Sequence, residues 1–161
     1  MHGEGSRPNP IAFARRFSDD ARTISTMNDA LRPDPTVLVV DDEESIHALF
    51  AQLLKLAGFL ALHARTVDQA KACLRDARVD AVILDLTLRG GESGLDILTW
   101  LRTQRERLHT PVCILTGHTV LSDDVEATIR RERAYVFYKG RRMAEIVDHL
   151  GVILRNDPQS K

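Results

Sequence analysis

Four apolar runs in this sequence each stop abruptly on a polar or charged residue. Val37-Leu38-Val39-Val40 ends on Asp41-Asp42, Val82-Ile83-Leu84 on Asp85, Val112-Cys113-Ile114-Leu115 on Thr116, and Tyr135-Val136-Phe137-Tyr138 on Lys139. Runs this short, bounded by turn residues and separated by stretches of helical period, read as buried strands of a parallel sheet. In open α/β sheets the ligand crevice lies outside the carboxyl ends of the strands, so all four ends would share one edge. Three carboxylates, a hydroxyl and an ammonium brought together there point to a metal ion and a phosphoryl group.

The stretches between the runs have the helical pattern this fold requires. Ile46, Leu49, Phe50, Leu53, Leu54 and Ala57 form a stripe that Gly58 closes. Residues 59–65 read as a weaker strand. Val67, Ala70, Leu74 and Ala77 mark a second helix capped by Thr66. After residues 81–86, the glycines of 90–94 read as a loop, and Leu95, Leu98 and Leu101 continue as a third helix. Asp123-Asp124 favours a fourth helix start through the helix dipole, with Val125, Ile129 and Arg133 along it. Met143, Ile146, Val147, Leu150 and Ile153 or Leu154 form the last stripe. Five strands alternating with five helices is the signature of an α/β, doubly wound parallel sheet.

Residues 1–35 are rich in Pro, Arg, Ser, Asn and Asp and read as a disordered extension, with Met27 an alternative start; 36–156 form the folded domain and 157–161 a polar tail. The 22 basic and 23 acidic side chains leave a formal net charge of -1, which gives no global attraction to nucleic acid or an anionic membrane. No apolar run approaches the ~20 residues of a membrane span, and a secretory leader is not recognisable, so the expected location is cytoplasmic. Cys73 and Cys113 lack metal-ligand spacing and read as buried apolar residues.

Asp41, Asp42 and Asp85 supply the hard oxygen ligands that Mg²⁺ prefers. Acids before the first helix could equally serve its dipole. Asp85 favours the metal, because an acid at the rim of a buried strand is costly unless coordinated or paired. An aspartate can also act as the nucleophile in phosphoryl transfer. Lys139 and Thr116 would then supply a cation and a donor to the phosphoryl oxygens.

With these residues, 36 to about 156 resembles the receiver domain of bacterial two-component response regulators, the chemotaxis-regulator-like fold. The resemblance implies a flavodoxin-like strand order of 2-1-3-4-5. It implies Asp85 as phosphoacceptor, Asp41 and Asp42 as Mg²⁺ ligands with the Thr87 backbone carbonyl and Asp85, and Thr116 and Lys139 as readers of the phosphoryl group. Thr87 and His118 occupy positions that tune dephosphorylation in the family, and Val136 occupies the switch position. Implied partners are a sensor histidine kinase or phosphotransfer protein and a downstream protein. The fourth helix, fifth strand and fifth helix offer the signalling face and a homodimer interface. A stand-alone receiver is expected, with at most self-phosphorylation and self-dephosphorylation rather than enzyme turnover, and without direct nucleic-acid or membrane binding.

The chain departs from the family pattern at three places. Arg89 stands where Pro is usual, Gly94 comes nine residues after Asp85 rather than eight, and Gly140 replaces the Pro after Lys139, which leaves that turn less restrained. The inward-swinging aromatic of the family is here Val136, flanked by Tyr135 and Tyr138, which leaves a threonine-driven loop shift as the route of switching. A phosphorylation-independent pseudo-receiver and an aspartate-nucleophile phosphohydrolase are the competing readings; the latter wants a second Asp where Thr87 stands. The basic cluster of Arg130, Arg131, Arg133, Lys139, Arg141 and Arg142 reads as a solvated or protein-docking surface.

Overall fold

The computed structural model describes residues 33–140 and 143–156. The expected extension up to residue 32, the tail from 157 and the basic residues Arg141 and Arg142 lie outside the described residues. Within them, β1 (Thr36–Val40), β2 (Leu60–Ala64), β3 (Ala81–Asp85), β4 (Val112–Thr116) and β5 (Tyr135–Tyr138) pair in parallel in the order β2-β1-β3-β4-β5. The helices are α1 (Glu44–Leu56), α2 (Val67–Asp76), α3 (Gly94–Thr103), α4 (Asp123–Arg131) and α5 (Met143–Asn156), with short 3₁₀ turns at Arg89–Gly91 and Arg105–Arg107.

Alternation along the strands divides the core in two. Leu38, Val40, Val82, Leu84, Val112 and Ile114 face α2, α3 and α4, where Leu74, Ile97, Leu98, Leu101 and Ile129 meet them. Val37, Val39, Ala81, Ile83, Cys113 and Leu115 face the other way, against Phe50 and Leu54 of α1 and Ile146, Val147 and Leu150 of α5. Both faces of β1, β3 and β4 are therefore buried, which is why those strands read as unbroken apolar runs. Each large aliphatic side chain sequestered this way contributes about 1.5–3 kcal/mol relative to exposure. The polar residue that ends each run marks where this apolar sandwich stops.

Local caps agree with the chemistry of the chain. The Thr66 hydroxyl accepts from the Gln69 amide at 3.2 Å and starts α2, and Ser93 caps α3 by accepting from the Leu95 amide at 3.2 Å. Gly94, expected in a loop, is instead the first residue of α3. Arg133, expected within the fourth helix, lies beyond it with φ of 54°, at a Schellman-type end where the Ala134 amide donates to Ile129 and the Arg133 amide to Arg130. No described helix is long and apolar enough to cross a membrane.

Candidate metal and phosphoryl site

Parallel registration carries the four strand ends to one edge: Val40 is level with Leu84, Asp85 with Leu115, and Thr116 with Tyr138. Asp41 and Asp42 follow β1, Asp85 and Thr116 close β3 and β4, and Lys139 follows β5. The Lys139 amide donates to the Thr116 carbonyl at 2.8 Å, so the lysine is anchored before its side chain turns inward. Gly140 leaves the strand at φ of 104°, a conformation closed to proline's ring. The sequence suggests a looser turn at this position; the chain instead follows a path that proline could not take.

Lys139 Nζ lies 2.9 Å from Asp41 Oδ2, 2.9 Å from Asp85 Oδ2 and 3.0 Å from Glu43 Oε1. Burial alone would push this ammonium down, but the contacts with Asp85, Asp41 and Glu43 outweigh it and hold the lysine above its ordinary range. Burial pushes the Asp41 carboxyl up, against the opposing pull of Lys139 and of the Glu43 amide, which donates to Oδ1 at 2.9 Å. Three carboxylates on one ammonium leave surplus negative charge, and the buried Asp41 Oδ2 has no aligned hydrogen bond beyond its ion-pair contact. Ligand oxygens of Asp41, Asp42 and Asp85 lie within 4.8 Å of one another. The donor set is all-oxygen and anionic, which fits a hard divalent cation.

Asp42, Glu43, Asp85, Thr87, Gly117, His118 and Lys139 line an open cleft of about 540 Å³. The Thr87 amide donates to Asp85 Oδ1 at 3.2 Å, and Thr87 Oγ1 lies 3.5 Å from His118 Nε2, at the limit of a hydrogen bond, so the two candidate tuning residues face each other across the mouth. Thr116 is fully buried, and its hydroxyl accepts from the His118 amide at 3.1 Å, within its own loop. Val136 stands apart from the cleft lining and packs against the core beneath α2–α4. Tyr135 and Tyr138 are half exposed, with Tyr135 edge-on to His149 at 4.4 Å between ring centroids. In the basic cluster, Arg131 pairs with Glu132 at 2.8 Å and Lys139 is drawn into the cleft.

Three residues of the site have contacts that sequence reasoning does not foresee. Glu43 reads only as an acid near a helix start, yet it contacts Lys139 across 96 positions. His47 is 4% exposed, and its Nε2 donates to the Asp41 carbonyl at 2.6 Å. A carbonyl only accepts, so Nε2 carries a proton, and Nδ1 meets His63 Nδ1 at 2.8 Å. Arg89 stands out in the sequence as a departure, but its destination does not: Nε reaches Asp42 Oδ2 at 2.7 Å. Sequence spacing signals an extra loop residue and nothing about where that side chain goes.

The β3–α3 loop absorbs the extra residue in the 3₁₀ turn of Arg89–Gly91 while its base stays closed. The Leu88 amide donates to Glu92 at 3.1 Å, the Gly94 amide to Leu86 at 2.9 Å, and Thr87 bridges Ser93. Gly94 is required by close approach, because a Cβ there would collide with the Asp85 carbonyl.

Residues 37–150 match the family model of the response regulator receiver domain. Over 92 residues, 56% of this chain, the sequence is 42% identical to a putative NtrX-like response regulator of Rickettsia felis, and the match spans 19% of that protein. The chain therefore corresponds to about a fifth of that relative's length. Among solved structures, a CheY-like receiver domain protein of Methanospirillum hungatei JF-1 superposes with a TM-score of 0.70 at 17% identity, covering 80% of this chain and 99% of the other. The response regulator TrrA of Thermotoga maritima, solved with Mg²⁺ and BeF, gives 0.64 at 25% identity over 74% of this chain and 99% of the other.

Proposed function

The chain belongs to the response regulator receiver family, and from that premise we propose that it is a phosphorylation switch in which Asp85 accepts a phosphoryl group from a histidine kinase or phosphotransfer protein. One observation carries the reading: the Asp85 carboxylate, at the end of β3, faces a cleft with Asp41 and Asp42 ligand oxygens within 4.8 Å and Lys139 Nζ at 2.9 Å. Asp41, Asp42 and Asp85, with the Thr87 carbonyl, would hold Mg²⁺. When bound, the ion supplies the charge that neutralises phosphoryl oxygens in transfer. The Mg²⁺ and BeF in the TrrA structure, at 25% identity, support this assignment.

The residues of the chain divide the remaining work. An Asp85 oxygen attacks phosphorus as the bond to the donor breaks, and the leaving group departs with the donor's electron pair. Lys139, charged at neutral pH, moves its attraction from the free carboxylate to the new phosphoryl oxygens. The Thr116 oxygen accepts from the His118 amide, which leaves its own O–H free to donate a hydrogen bond to a phosphoryl oxygen and so pull the β4–α4 loop inward. Thr87 and His118 flank the water route to the acyl phosphate and set its lifetime. The readout face is that of α4, β5 and α5, where a protein partner or a second copy docks; Val136 carries the change without an aromatic swing. The module so defined is the unit of 36–156, working in the cytoplasm.

Incubation with Mg²⁺ and a small acyl phosphate should add one phosphoryl group, detectable as an intact-mass shift that Asp85→Ala abolishes. Labelling that survives the substitution rejects Asp85 as the acceptor.

A further inference from the structure

Arg89 holds the metal-facing carboxylate Asp42, a contact whose meaning rests on the Mg²⁺ reading above. The guanidinium Nε lies 2.7 Å from Asp42 Oδ2 across 47 positions of sequence. Asp42 shares its ligand cluster with Asp41 and Asp85. Whichever Asp42 oxygen a cation takes, a tethered positive charge already sits on that carboxylate. Asp42's side chain is 18% exposed and Arg89's 82%, so the guanidinium spans from solvent onto a largely buried acid.

The loop gives this arm freedom to leave. Arg89 opens the 3₁₀ turn, and Gly90 and Gly91 follow with φ of 76° and 79°. A Cβ added at either glycine would meet no atom within 4 Å, so open space surrounds the turn. The base of the loop is pinned by the Leu88–Glu92 and Gly94–Leu86 bonds. These bonds hold the base of the loop and leave Arg89, Gly90 and Gly91 as its tip.

We propose that Arg89 is a built-in counter-ion of Asp42 that competes with Mg²⁺, setting the metal concentration at which the site becomes competent and linking metal occupancy to the position of the β3–α3 loop tip. Four carboxylates (Asp41, Asp42, Glu43 and Asp85) are matched here by two cations, Lys139 and Arg89. A divalent ion entering the cluster meets the negative charge left over, but Arg89 already holds part of Asp42 and opposes the ion at that one carboxylate. An ion pair with one partner in solvent shifts an equilibrium by up to about fivefold. The effect is lost at high ionic strength.

The test is calorimetric titration of Mg²⁺ into the wild type, Arg89→Gln and Arg89→Lys, with Asp42→Ala as the control for the metal site. The expected result is Mg²⁺ binding about two- to fivefold tighter in Arg89→Gln at low salt, with Arg89→Lys close to wild type and the gap closing as salt rises. In the wild type, amide NMR signals of Gly90 and Gly91 should shift with Mg²⁺, and in Arg89→Gln they should stay near their Mg²⁺-bound positions throughout. Equal or weaker binding in Arg89→Gln overturns the proposal while leaving the metal reading intact. Absence of binding in wild type and variant alike, or binding untouched by Asp42→Ala, overturns the metal reading itself and the proposal with it. Arg89 is largely exposed, so each variant is expected to fold.

Discussion

Lys139 Nζ touches Asp85 Oδ2 and Asp41 Oδ2 at the same distance, 2.9 Å, and so joins the ends of β3 and β1 from a position just beyond β5. The lysine is the main compensation for two acids that are 8% and 1% exposed. Replacing it by Met leaves both carboxylates close together without their cation. Breaking such a pair from one side exposes the desolvation cost of what remains. Lys139→Met is expected to lose about 1–3 kcal/mol at neutral pH, and millimolar Mg²⁺ should restore part of it because binding to the folded state alone is stabilising. Urea unfolding with and without Mg²⁺ measures both. A variant as stable as wild type, with no response to Mg²⁺, contradicts this account of the cluster.

Gly94 answers the spacing anomaly in the sequence. The loop is one residue longer than the family pattern, yet a glycine still stands where the start of α3 crosses the Asp85 carbonyl. A methyl group there forces backbone apart from backbone, with no flexible side chain to yield. Gly94→Ala is expected to cost about 1–3 kcal/mol or more and to slow Asp85 labelling by acyl phosphate. Gly91→Ala meets open space but a φ of 79°, so its effect on labelling should be smaller. Melting temperatures and labelling rates of the pair separate the two mechanisms. Equal effects would show that steric contact at Asp85 is not the reason for the glycine.

The strands and the cluster at their edge were legible because both follow from short-range rules, whereas the order 2-1-3-4-5 came from the resemblance to receiver domains. Buried parallel strands must be apolar along their length, and a polar residue can enter only where the sandwich ends, so Asp41, Asp85, Thr116 and Lys139 announced the edge. The 3.6-residue stripes, with Gly58 just past the end of α1 and Thr66 capping α2, located the first two helices. Less visible were contacts decided by side-chain reach across the fold. His47 lies among the residues of the first amphipathic helix and gave no sign that its ring would hold the Asp41 carbonyl and meet His63. Glu43 is a charged residue of ordinary appearance and Arg89 stands out only as a departure from the loop pattern, so the assembled edge alone shows them on Lys139 and Asp42. Arg133 had a helical spacing but takes a left-handed conformation, since the local pattern does not record where a helix gives way to the strand it must feed.

The two cysteines should react very differently. Cys113 lies in the middle of β4 with no exposed surface, and burial pushes its thiol up to about 12. At about pH 8 roughly one molecule in ten thousand would carry the reactive thiolate there. Cys73 on α2 is only partly buried. Native protein treated with iodoacetamide should take one label, on Cys73, with Cys113 labelled only after denaturation. Mass spectrometry of the digest shows which. Comparable labelling of Cys113 in native protein would mean that β4 opens far more often than a central strand buried on both faces should.

His63 gives the fold a predictable response to acid. Burial first, and the neighbouring His47 second, hold its imidazole below the ordinary 6.5. Its ring sits over a small cavity of about 230 Å³ lined also by Glu44, Ala48, Ala51 and Arg65, with Arg65 paired to Glu44. Above 6.5 the imidazole is neutral in folded and unfolded chains, and its favourable contribution is fully present. As the pH falls below that value the unfolded chain takes up the proton first, so stability is lost progressively until the folded value is passed. In His63→Asn there is no imidazole to titrate at this position. Urea unfolding at about pH 7.5 and about pH 5 should therefore show wild type losing more stability than His63→Asn over that interval. Identical losses in the two proteins would place the acid sensitivity elsewhere and remove His63 from it.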